Sequence, residues 1–204
     1  MILRYQAAAA EIEISIKEAL RYAGQGSETP SEEIARLFAS CLDEFLTCAA
    51  YRAASLEVEL TQVEDEIRLG SFCVKSKSLS AHLLGCNRAI LFCATIGGTL
   101  DRLLLRYGRA KPSRTLLLDA IGSAAIEAWC DRLATAWARE MQPRALSLTS
   151  RFSPGYGDFP IWHQKALLSL LSAAQTVGVS ATKSYMLVPQ KSVTAVIGQK
   201  GSVT

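Results

Sequence analysis

Histidine is nearly absent, at two of 204 residues, and no serine, histidine and aspartate trio, zinc-ligand spacing or phosphate-cradling glycine loop can be assembled. Chemistry led by a histidine-activated nucleophile or a bound zinc is therefore disfavoured. The six cysteines, at 41, 48, 73, 86, 93 and 130, form no C-x-x-C pair, a spacing that reads as buried free thiols in a reducing compartment. No apolar run reaches the ~20 residues of a membrane span. Ala89 to Gly98 is too short, and Leu116 to Cys130 is interrupted by Asp119 and Glu127. No run of Lys or Arg alternates with aromatics, so the net charge of +3 gives no nucleic-acid footprint. The first residues, Met1-Ile2-Leu3-Arg4-Tyr5, lack the basic and apolar regions of a secretory signal, and a cytoplasmic location is expected.

What is present is apolar: 50% of residues are hydrophobic and 20% charged, a balance that excludes global disorder and suits one compact domain, with or without a helical extension. Ile12, Ile16, Ala19 and Leu20 recur at helical spacing, predicting a first helix over Glu11 to Ala23 that stops at Gly24 and Gly26. Thr29-Pro30-Ser31-Glu32 combines a capping hydroxyl, an early proline and a carboxylate, and so predicts the start of a second. From Ala53 the pattern alternates, Leu56, Val58 and Leu60 against Glu57 and Glu59, as in a half-buried strand.

A short helix is predicted over Ser78 to Leu84, closed by Gly85, then a central strand over Ala89 to Ile96 and a helix over Thr99 to Tyr107. A long helix over Ser113 to Met141 has Leu118, Ile121, Ala125, Trp129, Leu133 and Trp137 on one face, and its small residues 122–125 invite close packing. Beyond Pro143 the expectation is a strand over Ala145 to Phe152, a helix over Ile161 to Ala174, and strands over Tyr185 to Val188 and Val193 to Gly198. No internal repeat appears. The fold class expected is α+β: a curved mixed or antiparallel sheet packed with helices, with an N-terminal helical extension.

Chemistry concentrates in Arg151-Phe152-Ser153-Pro154-Gly155-Tyr156-Gly157-Asp158-Phe159-Pro160, where two glycines and two prolines shape the backbone. Arg151 can grip a carboxylate with two N–H groups, and Tyr156 offers a ring face and a hydroxyl. Those are the needs of a zwitterionic ligand with an aromatic part. The same residues also describe a rigid turn with an ion-paired arginine and a core tyrosine.

The segment R-x-x-P-G-Y with Pro160, Lys165, Ser184-Tyr185-Met186, Pro189 and Ser192-Val193 resembles the activation domain of cobalamin-dependent methionine synthase. Gly85-Cys86, Ala94-Thr95-Ile96-Gly97 and Asp119 to Ala125 look like its short, free-standing members. The resemblance spans about residues 50–199. It implies residues 51–204 as an activation-like domain and residues 1–50 as a helical region packed on it. It further implies S-adenosylmethionine bound along the loop by Arg151, Pro154, Gly155 and Tyr156, with Arg151 holding the amino-acid carboxylate.

By the same resemblance the chain reactivates a separate corrinoid protein, coupling one-electron reduction to methyl transfer from S-adenosylmethionine. Cobalamin is supplied by that partner, a methionine synthase, with electrons from a donor such as flavodoxin or ferredoxin. The alternative is a corrinoid-protein docking module without S-adenosylmethionine binding. An ordinary methyltransferase is disfavoured because no strand-to-helix turn carries G-x-G. Two positions depart from the full-length synthases: their histidine after the second proline falls at Trp162, beside His163, and a glutamate of their long helix falls at Thr135. His82-Leu83-Leu84-Gly85 echoes half of a corrinoid motif, but Ser80 stands where an aspartate is required, and His82 reads as a helix-end histidine.

Overall fold

A computed structural model describes residues 1–24 and 29–201. The chain opens with β1 (Ile2–Ala7), α1 (Ile16–Tyr22) and α2 (Glu32–Leu46). Next come β2 (Tyr51–Val63), β3 (Glu66–Leu69), β4 (Phe72–Lys75), α3 (Lys77–His82) and β5 (Cys86–Thr95). Then follow α4 (Thr99–Tyr107), α5 (Pro112–Met141) and β6 (Leu146–Leu148). The last third holds α6 (Gln164–Leu170), α7 (Ala173–Thr176), β7 (Ser180–Ala181), β8 (Leu187–Val188) and β9 (Ser192–Gly201).

Seven strands form an open antiparallel sheet in the order β4-β3-β2-β5-β9-β6, with β1 paired to the first half of β2 and β3 to its end. The small β7-β8 ribbon stands apart. Central β5 is buried from Ala89 to Thr95 because both faces of the sheet are covered. Its side chains alternate accordingly. Ile90, Phe92 and Ala94 join the core under α5, whereas Ala89 and Leu91 join Leu79 and Leu83 of the α3 segment and Leu167 of α6 on the other side. The predicted face of α5 is the buried one, from Leu118 to Trp137. A Cβ at Gly122 would overlap Leu100, so the small residues there let α4 approach, as expected.

Several boundaries differ from the sequence expectation, each for a local reason. The first helix begins only at Ile16, since Glu11 turns back to accept from the Ala8 amide at 2.9 Å and ends a separate single turn. Gly24 stops α1 at positive φ, while Gly26 lies outside the described residues. The N-cap of α2 is Ser31, whose hydroxyl accepts from Ile34, and not Thr29. The N-terminal region is also not purely helical, because β1 completes a sheet edge that local periodicity could not foresee.

The hairpin β3-β4 was not anticipated either; its pleat buries Ile67, Leu69, Phe72 and Val74. The strand expected over 145–152 forms ladder bonds only at Leu146–Leu148 plus one bridge from Phe152 to Val196. The helix expected over 161–174 is broken at Ser172, which takes a left-handed conformation. Of the six thiols, Cys41, Cys93 and Cys130 are buried, whereas Cys73 is exposed on the outer face of β4.

Candidate functional site

The segment after β6 leaves the sheet at Ser150, touches it again where Phe152 bridges Val196, and then folds on itself. The Gly155 amide donates to the Phe159 carbonyl at 2.7 Å, and the Tyr156 amide to the Ser153 carbonyl at 3.1 Å. Pro154 and Phe159 are buried beneath this turn, Phe159 within the core on the α3 side. Gly155 has φ +98 and Gly157 φ +53, conformations that side-chain-bearing residues rarely adopt. The two differ in surroundings. A Cβ at Gly155 would meet Ile161 at an ordinary 3.8 Å, but one at Gly157 would lie 2.5 Å from Ser78 Oγ.

Helix α3 braces the loop at two points. At its start, Asp158 accepts from Ser76 Oγ at 2.6 Å, from the Lys77 amide at 2.8 Å and from the Ser78 amide at 3.0 Å. The Ser76 hydroxyl and those amides hold the Asp158 carboxyl well below its ordinary range. At its end, His82 Nε2 donates to the Ser150 carbonyl at 2.8 Å, and its ring lies 4.9 Å from that of Phe152. His82 is thus the helix-end residue that the sequence suggested, with a second task of fixing where the loop departs.

Arg151 points towards α5. Its Nη2 donates to Glu127 at 2.9 Å and to Asp131 at 2.8 Å, two carboxylates one helical turn apart. Nε and Nη1 have no carboxylate partner among the described residues. Beside the guanidinium lies Cys130, whose thiol is pushed up to about 12 by burial. Glu127, Ser150, Arg151, Ser153, Tyr156 and Val193 surround a cavity of about 230 Å³. Its chemistry is that of an amino-acid pocket: a guanidinium for a carboxylate, an acidic group for an ammonium, two hydroxyls, and the 59% exposed Tyr156 at the rim.

Of the four sequence-derived site residues, Arg151 and Tyr156 come together at this cavity, while Pro154 and Gly155 shape the turn behind it. Glu127 and Asp131 were missed. Their i,i+4 spacing on the polar side of α5 was visible, but nothing local connects them with Arg151 24 and 20 residues away. Thr135, the position where the glutamate of the full-length synthases falls, is exposed and lies two turns beyond Glu127. The neighbouring departure also resolves: Trp162 faces outward, whereas His163 packs 5.1 Å from Phe72 and 5.7 Å from Phe159, and burial lowers its pKa. Lys165 of α6 sits 4.8 Å from the Tyr185 ring, tying the β7-β8 ribbon to that helix.

No protein-family model matches the chain, and no curated protein sequence matches it. Among solved structures, the crystal structure of the MetH reactivation domain bound to AdoHcy superposes with a TM-score of 0.77 at 15% identity, covering 100% of this chain and 80% of that one. The chain has the fold of the MetH reactivation domain. The likeness takes in β1, α1 and α2 as well, so in architecture it reaches beyond the residues whose sequence carried the resemblance. No helix among the described residues is long and apolar enough to cross a membrane.

Proposed function

We propose that this protein is an S-adenosylmethionine-binding reactivation subunit, supporting reductive methylation of cob(II)alamin on a separate cobalamin-dependent methionine synthase. The observation that carries the reading is the juxtaposition of Arg151, Glu127 and Tyr156 around one cavity, within a fold shared with a reactivation domain that binds AdoHcy. Arg151 takes the ligand carboxylate with the N–H groups that Glu127 and Asp131 leave open. Glu127 takes the ammonium. The cavity is smaller than the roughly 300 to 1,000 Å³ usual for a whole ligand of this size, so the adenosine part lies along the loop over Tyr156.

The role of these residues is positional. They hold the sulfonium so that its methyl group faces outward, and alignment of this kind is worth several orders of magnitude in rate. The partner's corrinoid supplies the reduced metal nucleophile. With one electron from a donor protein taken up by that corrinoid, the methyl carbon would pass to it, and the electron pair of the broken carbon–sulfur bond would stay on sulfur to give S-adenosylhomocysteine. No acid or base is needed at the methyl carbon. Tyr156, Trp162, Met186 and Val188, each about half exposed or more, supply apolar surface of the kind a transient partner covers.

A second reading, a corrinoid-protein docking module without S-adenosylmethionine binding, is favoured by the double pairing that already engages Arg151. Calorimetric titration with S-adenosylmethionine separates the two. Reconstitution is the functional test: a Co(II) synthase lacking its own activation domain is mixed with this protein, a reductant and S-adenosylmethionine, and the methylated corrinoid is followed by absorbance. Methylation that depends on this protein is the expected result. Full reactivation without it, or none with it, would refute the reading.

A further inference from the structure

A larger cavity lies away from the loop. It measures about 470 Å³ and opens between the C-terminal end of α5 and strands β1, β2, β5 and β9. Along α5, Trp137 of this cavity is ten residues past Glu127, about 15 Å at the helical rise. The two cavities are therefore separate.

Three features of its lining describe an occupant. Leu3, Tyr5, Ile90, Trp137 and Met141 give it apolar and aromatic walls. Trp137 is 2% exposed with Nε1 unpartnered among the described residues, and Gln199 is 0% exposed with neither polar atom of its amide in a hydrogen bond. The Gln199 amide lies near enough to the Glu57 carboxylate to help lower its pKa. Unpartnered buried donors and acceptors are costly, and an occupant carrying both hydrogen-bonding functions relieves that cost.

The third feature is a weakly committed cation. Arg88 Nε is 2.8 Å from Glu57, a firm ion pair, and burial of that carboxyl is outweighed by the arginines so that it stays below its ordinary pKa. Arg144 reaches the same carboxylate only at 3.6 Å, and its other contact is Met141 Sδ at 3.5 Å. Glu140 also lines the cavity but forms no ion pair among the described residues.

We propose that this cavity is a second small-molecule site, taking an aromatic, amide-bearing carboxylate, with the carboxylate on Arg144, the amide at Gln199 and Trp137, and the ring against the apolar wall. The proposal does not rest on the function proposed for the loop. The probe is hippurate, which joins a phenyl ring, an amide and a carboxylate, added to the full ¹⁵N-labelled chain. The three tryptophans give three indole N–H signals, and Trp129 already donates to the Arg52 carbonyl. Hippurate is expected to shift the Trp137 signal with millimolar affinity and to leave Trp162 unmoved. Arg144→Ala, a change on an exposed turn, should weaken that binding about tenfold. Hippurate methyl ester, without the charge, and 3-phenylpropionate, without the amide, should each bind more weakly than hippurate. An unmoved Trp137 signal up to about 10 mM hippurate would overturn the proposal. So would equal binding by Arg144→Ala, or equal binding of either analogue.

Discussion

The two cavities along α5 differ in how their arginines are held. Arg151 shares one nitrogen between two carboxylates below 3 Å and belongs to a loop braced at two points by α3, whereas Arg144 has no side-chain polar contact shorter than 3.5 Å among the described residues and sits on a single turn after the helix. One site is organised before any ligand arrives, and the other waits on an occupant. Preorganisation lowers the ordering cost of binding, so the loop cavity suits a specific ligand held in one orientation. The sheet-end cavity, with unpartnered Gln199 and Trp137, has its polar groups satisfied only when filled.

The strongest way to break this contrast is to release the brace. Gly157→Ala combines an unfavourable φ with a Cβ inside contact distance of Ser78, and should reduce S-adenosylmethionine affinity by about a hundredfold or more. Gly155→Ala, which meets strain but no overlap, should lose only about tenfold. Equal losses in calorimetry would remove the brace as the distinguishing element. Next in size is Arg151→Ala, expected to weaken S-adenosylmethionine binding tenfold to a hundredfold, from the ~1.5 to 3 kcal/mol of a charge-assisted contact. Unchanged affinity in the folded variant would favour the docking-module reading.

Glu127→Gln keeps the Asp131 pair with Arg151 and removes the anion proposed to take the ammonium, so a loss of about tenfold is expected for S-adenosylmethionine. An analogue lacking the amino group should bind variant and parent alike. A pH experiment probes the brace more gently. The folded pKa of Asp158 is depressed, so its stabilisation is present above the unfolded carboxyl value and is lost as pH falls through the folded one. Asp158→Asn should therefore lower the melting temperature at neutral pH and reduce the difference from the parent in strong acid. A constant difference across that range would show that the carboxylate charge is immaterial. Smallest of all, Arg144→Ala should change S-adenosylmethionine affinity by less than about twofold, since its cavity is some 15 Å away along α5. A larger change would mean that the two cavities communicate.

Much of the fold was legible because its signals are local. The apolar run of β5, the stripe of α5, the stop at Gly85 and the bounds of α4 each depend on neighbours within a turn or two. The strand β1 escaped notice because it is an edge, stabilised by pairing to the first half of β2 and not by a strong pattern of its own. The β3-β4 hairpin, though not anticipated, was legible in the alternation of Ile67, Leu69, Phe72 and Val74 around Gly70-Ser71. The helix expected over 161–174 broke at Ser172, whose left-handed conformation separates α6 from α7.

The sequence by itself determined the shaped loop, with its arginine, tyrosine and obligatory glycines, since backbone freedom and side-chain chemistry reside in the residues themselves. It also determined which faces of α5 and β5 are buried, because periodicity is a property of the local helix or pleat. Only the tertiary structure decided that Arg151 meets Glu127 and Asp131, that α3 grips the loop through Asp158 and His82, and that Gln199 and Trp137 lie together without partners. Those contacts join residues 20 to 82 positions apart, and so depend on how the layers stack around the sheet.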